Sequence, residues 1–404
     1  MTSTTESKTS DFSLILILFF TSRLMMLLAF PPENLIVYGD YQTYFNIAAF
    51  VSRGYWPYVD FWYEFPPIFP YLNILIYTLA GQQLKNYIVL LAVTLLIVEL
   101  GNLYLLYRLA LALHGPATAL QTAWIYAALF IPIFFWLGNF DALTTFFILL
   151  GVYALLKNRP VLLALALGLG VMIKIVPAFL IATVWRAKGW RPALIYAGTT
   201  LGICLVILGP FFLMNPATTV ASLQAQASKS SYETVWALLD GNDTTGNFGP
   251  LSDRLEVAKA TEPLHNPPRI PNWLRLIPFG LLGLFVLTRP VRRPPPADAL
   301  IFTSLTFVIF FLWSPGWSPQ WQTFLIPLLL LALPQRRAVL FIIVLGFVNF
   351  LEWPVMLSRG LNELLPVTIL TRTVILILLG VDLYGQLHRQ ADLNRQPPGR
   401  SPAG

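Results

Sequence analysis

Long apolar runs dominate this chain, and most are apolar on every side. In order they cover 11–30, 86–109, 117–137, 141–157, 160–174, 176–187, 191–213, 271–288, 298–315, 321–334, 338–354 and 366–387. A helix needs about 20 predominantly apolar residues to cross the hydrocarbon core of a bilayer. Strands of a membrane β-barrel alternate apolar and polar positions, and these runs do not. The pattern therefore predicts an all-α, polytopic transmembrane helical bundle with about twelve spans. A further apolar stretch, 67–80, is short. It is expected as a juxtamembrane helix in the first outer loop, because counting it as a span inverts every later loop.

The polar positions between the runs set orientation. Basic residues collect at Arg108, Lys157 and Arg159, Arg186, Lys188 and Arg191, Arg289, Arg292 and Arg293, Arg336 and Arg337, and in the C-terminal tail. Cytoplasmic loops collect Lys and Arg. The reading is a multi-pass protein of the plasma membrane with both termini cytoplasmic and two large outer loops, 31–85 and 214–270. The second loop carries Glu233, Asp240, Asp243, Asp253, Glu256 and Glu262, and is expected to form a small lid of short helices. Residues 1–388 make one bundle; 389–404 read as a disordered cytoplasmic tail and 1–10 as a disordered start. Arg23 interrupts the first run, which argues for a retained span over a signal peptide. It is expected to face the bundle interior, with Glu99 as its partner.

Composition supports this picture. Of 404 residues, 56% are hydrophobic and 11% charged, against about 25% charged in a soluble domain. The net charge of +7 follows from basic cytoplasmic loops, so no nucleic-acid partner is implied. The one cysteine, Cys204, cannot form an intramolecular disulfide. His114, His265 and His388 are far apart, and no Cys/His cluster suggests zinc. Walker and Rossmann glycine patterns are absent. No cofactor is expected; a divalent metal is conceivable but not indicated.

Candidate chemistry concentrates at one end of the predicted spans. The stretch from Tyr38 to Tyr71 holds Asp40, Asp60 and Glu64 among aromatic residues and prolines, a composition suited to a membrane–water interface. Asp40, Glu64, Asn139, Asp141, Lys174, Gln320 and Glu352 all fall at outer helix ends. Ionisable groups at membrane depth are functional candidates by default. Asp40 can take a proton from a hydroxyl, or cap the helix that begins at Tyr41. Glu64 can cap or orient the next helix, or serve as a second catalytic carboxylate. Lys174, in G-L-G-V-M-I-K-I-V-P, suits a phosphate, or snorkels to headgroups.

These residues carry a resemblance. The carboxylate after the first span, followed by G-Y-W-P-Y and E-F-P-P-I-F-P-Y, resembles the first outer loop of GT-C glycosyltransferases, above all the polyprenyl-phosphate-mannose-dependent group around glycosyltransferase family 87. G-N-F-D-A-L (Gly138 to Leu143) is similar to that family's G-Q-x-D/N, with Asn139 in place of the commoner Gln. Lys174 with Pro177 matches its K-x-x-P, and Ser318 to Trp321 its S-P-Q-Y. The D-x-D of some GT-C branches is missing at Asp40. The resemblance implies a GT-C-like hexosyltransferase with a lipid-linked donor, usually a polyprenyl phosphate sugar such as mannose. Transfer would be inverting, on the outer face, to a glycan or glycolipid acceptor amid membrane lipids. Asp40 would be general base with Glu64 as second catalytic carboxylate. Lys174, Tyr41, Asn139, Asp141, Trp317 and Gln320 would contact substrate.

Two other classes compete. A flippase or transporter of lipid-linked sugars would show broken helices at mid-membrane and a repeated half; neither is legible. A polymerase or ligase using lipid-pyrophosphate donors would carry several arginines in a large outer loop, whereas 214–270 is more acidic than basic.

Overall fold

A computed structural model describes residues 3–291 and 295–389. Expectations for 1–2, for Arg292 and Arg293, and for the tail beyond Arg389 lie outside the described residues. Among the described residues, seventeen α-helices run in chain order: α1 (Ser3–Ala29), α2 (Tyr41–Ala48), α3 (Ile68–Leu79), α4 (Leu84–His114), α5 (Pro116–Ala128), α6 (Phe130–Phe135), α7 (Asp141–Leu156), α8 (Pro160–Val171), α9 (Leu180–Lys188), α10 (Trp190–Met214), α11 (Pro216–Ser228), α12 (Val235–Asp240), α13 (Asn272–Leu287), α14 (Pro295–Trp313), α15 (Gln322–Ala332), α16 (Gln335–Phe350) and α17 (Leu365–His388). Among the described residues there is no β-sheet, only two isolated bridges.

Every apolar run is helical, so the fold class is as the pattern predicts. Six helices are long and apolar enough to cross a membrane: Asp11–Ala29, Leu84–His114, Trp190–Met214, Pro295–Trp313, Gln335–Arg359 and Asn362–His388. Other runs give shorter elements. The 12 residues of α8 extend only about 18 Å at 1.5 Å per residue. The run 117–137 splits where Leu129 turns extended (ψ 129°) between α5 and α6. Helix α1 begins at Ser3, ahead of the first apolar run.

The bundle is apolar outward as well as inward. On α10 only Ala193, Thr200, Cys204 and Leu208 are buried, while Leu194, Ile195, Leu201, Leu205, Val206 and Leu213 are exposed. Such a face is stable against lipid and not against water. Some polar groups inside the bundle are partnered locally, while Arg23 keeps Nε and Nη2 buried without a partner. Glu99 accepts from Asn102 (2.9 Å) and Tyr126 (2.9 Å). Arg23 does face inward, 1% exposed, and feels the charge of Glu99 without touching it.

The loop 31–85 folds into α2 and α3 with short 3₁₀ turns; 214–270 folds into α11, α12 and 3₁₀ turns at Leu251–Leu255 and Val257–Thr261. The two loops are sewn together. Asn215 caps α11 by accepting from Thr218 N–H (3.2 Å) and donates to the Val59 carbonyl (2.8 Å). Trp62 donates its backbone N–H to Arg254 (3.0 Å) and its indole N–H to the carbonyls of Asp253 (3.0 Å) and Glu256 (3.1 Å). Asn73 of α3 donates to the Tyr44 carbonyl of α2 (2.8 Å) and accepts from Tyr87 of α4. The aromatic stretch is thus mostly interior. Tyr41, Tyr44, Phe61, Trp62, Tyr63 and Phe69 are buried, and Tyr55 and Trp56 are exposed. This corrects the reading of the whole stretch as an interfacial belt: large rings supply most of the core that a small loop domain can bury.

Candidate active site

Two glycines build the centre of the loop end. Asp40 N–H donates to the Gly138 carbonyl (3.1 Å), so the backbones at Gly39 and Gly138 nearly touch. A Cβ at Gly39 would lie 2.7 Å from the Leu137 carbonyl oxygen, and one at Gly138 only 2.6 Å from Tyr41 Cε2. Gly138 also has φ +66°, a region that costs other residues strain. These contacts place G-D-Y of the first loop directly on G-N-F-D before α7.

Asp40 occupies the N-cap position of α2, but its side chain caps nothing. Its Oδ2 accepts only from the Tyr44 hydroxyl (3.2 Å). The residue is exposed to solvent, yet surrounding protein desolvates the carboxyl and pushes its pKa up to about 6, against the Tyr44 hydrogen bond; Asp141 and Glu64 add repulsion and Lys229 attraction. The residue thus reaches solvent while the surrounding protein desolvates its carboxyl.

Asp141 is buried and paired with Lys174 (Nζ–Oδ1 2.6 Å). The ammonium lies among rings, 5.2 Å from Trp321, 5.3 Å from Phe324, 5.4 Å from Phe140 and 5.9 Å from Phe65. Ile68 N–H donates to the Met172 carbonyl (3.1 Å), which fixes the turn carrying Lys174 against the start of α3. Glu64 is buried in a two-pronged pair with Arg254; Arg254 Nη2 donates to Oε1 (3.0 Å) and Nη1 to Oε2.

The remaining wall comes from 229–234 and the turn Ser314–Trp321. Tyr232 N–H donates to the Pro315 carbonyl (3.1 Å), and Trp317 N–H to the Tyr232 carbonyl (3.2 Å). The Tyr232 ring covers Gly316, where a Cβ would lie 2.1 Å from its Cε1. Lys229 is half-buried. Its Nζ donates to the Gly246 carbonyl (2.8 Å) and lies 4.4 Å and 4.3 Å from the ring centres of Tyr232 and Phe248. Burial pushes its pKa down to about 8, against the pull of Glu64, Glu233 and Asp40. Behind it, Arg372 pairs with buried Glu352, donates to the Glu233 carbonyl and lies 4.9 Å from the Trp317 ring. Burial first, and then Glu352, hold the Glu233 carboxyl well above the usual range.

The structure thus gathers Asp40, Tyr41, Glu64, Asn139, Asp141 and Lys174 at one end, with Trp317 and Gln320 on the adjoining turn. Asn139 Nδ2 donates to the Leu137 carbonyl (3.2 Å), and the Gln320 carbonyl accepts from Thr323 (2.7 Å). Glu352 is tied to Arg372, away from Asp40's direct partners. Sequence reasoning missed Lys229, Arg254, Glu233 and Arg372. The available signal was a lysine within Q-A-S-K-S-S-Y-E, hidden by the acidic sum of its loop. No group of three or more His, Cys, Asp or Glu able to hold a metal lies among the described residues.

An unpaired, solvent-reaching carboxylate thus lies near two cation-paired carboxylates at one end of an all-helical bundle. The sequence profile of Glycosyltransferase family 87 matches residues 63–315. The chain belongs to that family and is a membrane glycosyltransferase. The crystal structure of the Archaeoglobus fulgidus oligosaccharyltransferase in the apo form is similar to it, with 14% identity and a TM-score of 0.44 over 93% of this chain and 56% of that one. This chain therefore spans little more than half of that enzyme's length. No curated protein matches the sequence.

Proposed function

We propose that the protein transfers a hexose, mannose being the first candidate, from a polyprenyl phosphate sugar to an acceptor hydroxyl on a glycan or glycolipid. The loop end faces the outside of the plasma membrane and both termini face the cytoplasm. The observation that supports this reading is Asp40: a carboxylate with one hydrogen bond, no ion pair and access to solvent, near two carboxylates, Glu64 and Asp141, that are held by cations.

The chemistry follows from those groups. The acceptor hydroxyl attacks the anomeric carbon as Asp40 takes its proton. The bond from that carbon to the phosphate oxygen breaks, and its electron pair leaves with polyprenyl phosphate. Attack opposite the leaving group inverts the anomeric centre. Asp141 and Lys174 hold Asp40's neighbourhood in place, and Glu64 with Arg254 clamps the covering loop. The Tyr63 hydroxyl and the Trp317 indole N–H are buried without a partner near these groups. A phosphate is already a competent leaving group, so a strong general acid is less necessary.

The test is incubation of the purified protein with a panel of polyprenyl phosphate sugars and candidate acceptors, reading released polyprenyl phosphate. Release that depends on one sugar and on acceptor is the expected outcome. Hydrolysis of none of the panel, with turnover on lipid-pyrophosphate donors instead, would move the protein to the polymerase class.

A further inference from the structure

We infer that Lys229 is the anion ligand of this site: its ammonium receives the phosphate group of the lipid donor and stays with it as polyprenyl phosphate departs. The inference rests on the donor reading above and names the residue that recognises the donor's charge.

The other cations around the site are already matched. Lys174 holds Asp141 at 2.6 Å, Arg254 holds Glu64, Arg275 holds Asp240 at 2.9 Å and Arg372 holds Glu352. At the surface, Lys259 pairs with Glu262 at 2.7 Å and Lys85 with Glu33. Among the described residues of this end, Lys229 is the inward cation with no carboxylate in contact. It has one backbone carbonyl and two ring faces. Neutral dipoles and π-faces hold a cation in place without cancelling its charge. An ammonium kept away from bulk water in that way is costly until an anion arrives.

Position supports the assignment. Lys229 and Asp40 interact electrostatically and do not pair. They are two opposite charges without an ion-pair partner at this end of the bundle, and the reaction needs one of each. Asp40 receives the proton from the nucleophile; Lys229 meets the negative charge that grows on the phosphate as the carbon–oxygen bond breaks. An ammonium on a long stem suits a phosphate as a point charge with three donors. The ammonium lies over the ring of Tyr232, itself locked over Gly316 and bridged to it. Lys229 also lines a cavity shared with Trp62, Phe248 and His265, on the side away from Asp40, which is not among the lining residues.

The experiment compares binding of polyprenyl phosphate, the matching polyprenol and phosphatidylglycerol to the full chain in nanodiscs. Wild type should prefer polyprenyl phosphate over polyprenol by at least about tenfold, the scale of a charge-assisted contact. Lys229→Met should erase that preference, Lys229→Arg should keep part of it, and Lys259→Met should keep all of it. Amine-reactive labelling of wild-type Lys229, read by mass spectrometry, should be slowed by polyprenyl phosphate and not by polyprenol. This second measurement decides the matter even where Lys229→Met does not fold. A folded Lys229→Met protein with wild-type preference, or labelling unaffected by polyprenyl phosphate, overturns the inference and leaves the donor reading intact. Equal protection by phosphatidylglycerol also overturns it, since the anion is then a bilayer headgroup. Wild type with no preference for the phosphate overturns both.

Discussion

The two ends of the bundle treat charge differently. At the end where α9 finishes, Arg186 binds Asp298 through both prongs (2.6 and 2.9 Å) and also donates to the carbonyls of Val286, Leu287 and Arg289. Arg337 pairs with Asp382 at 2.7 Å. At the opposite end, Arg254 grips Glu64 with two prongs and Lys174 makes a single bond to Asp141, but Asp40 and Lys229 have no ion-pair partner. A saturated buried pair holds helices together and has no capacity left for a ligand. A charge that the fold declines to neutralise is where chemistry can enter.

The largest effect should come from removing the unmatched carboxylate. Asp40→Asn should fold and bind donor, while turnover falls by about 10²–10⁴, the usual contribution of a general base. Stability should change little, because the Asp40 side chain makes no cap hydrogen bond to lose. A stable variant with more than a tenth of wild-type turnover would return Asp40 to the role of a backbone cap.

Arg186→Ala is the counterpart at the saturated end. Leaving Asp298 buried without its partner should cost about 3–5 kcal/mol of stability, read by unfolding in detergent. Turnover per folded molecule should stay near wild type. Comparable loss of turnover in the folded variant would erase the distinction between the two ends.

The smallest effect is graded. Asp40 works as a base only when ionised, and its pKa is raised to about 6; activity should climb as pH rises through that value. Lys229 works only when charged, and its pKa is lowered to about 8; activity should fall as pH rises through that one. The kcat/KM profile should therefore be a bell between them. Asp40→Asn should lose the acid limb and Lys229→Arg should shift the alkaline limb upward. An unchanged acid limb in Asp40→Asn would assign it to another group.

Much of the fold was legible because helix formation by apolar runs is local. The order of Asp40, Asp141 and Lys174 along the chain, each at a helix end, was also legible, since helix ends are marked by glycine, proline and polarity. Partner choice was not. Arg254 lies 190 residues from Glu64, and no spacing rule connects them. The acidic sum of 214–270 suggested a loop with little to offer an anion, but a sum says nothing about direction: Glu256 and Glu262 are exposed while Lys229 and Arg254 turn inward.

The amino-acid sequence by itself determined an all-helical membrane bundle and the kind of charge at each helix end, because hydrophobic length and local turn chemistry act over a few residues. Only the tertiary structure decided which charges cancel. Gly39 and Gly138 let two backbones meet, and that contact sets Asp40 beside Asp141 and Lys174. Whether a carboxylate is a structural partner or a free base depends on which cation lies within a few ångströms. Helix packing fixes that distance, and periodicity along the chain does not encode it.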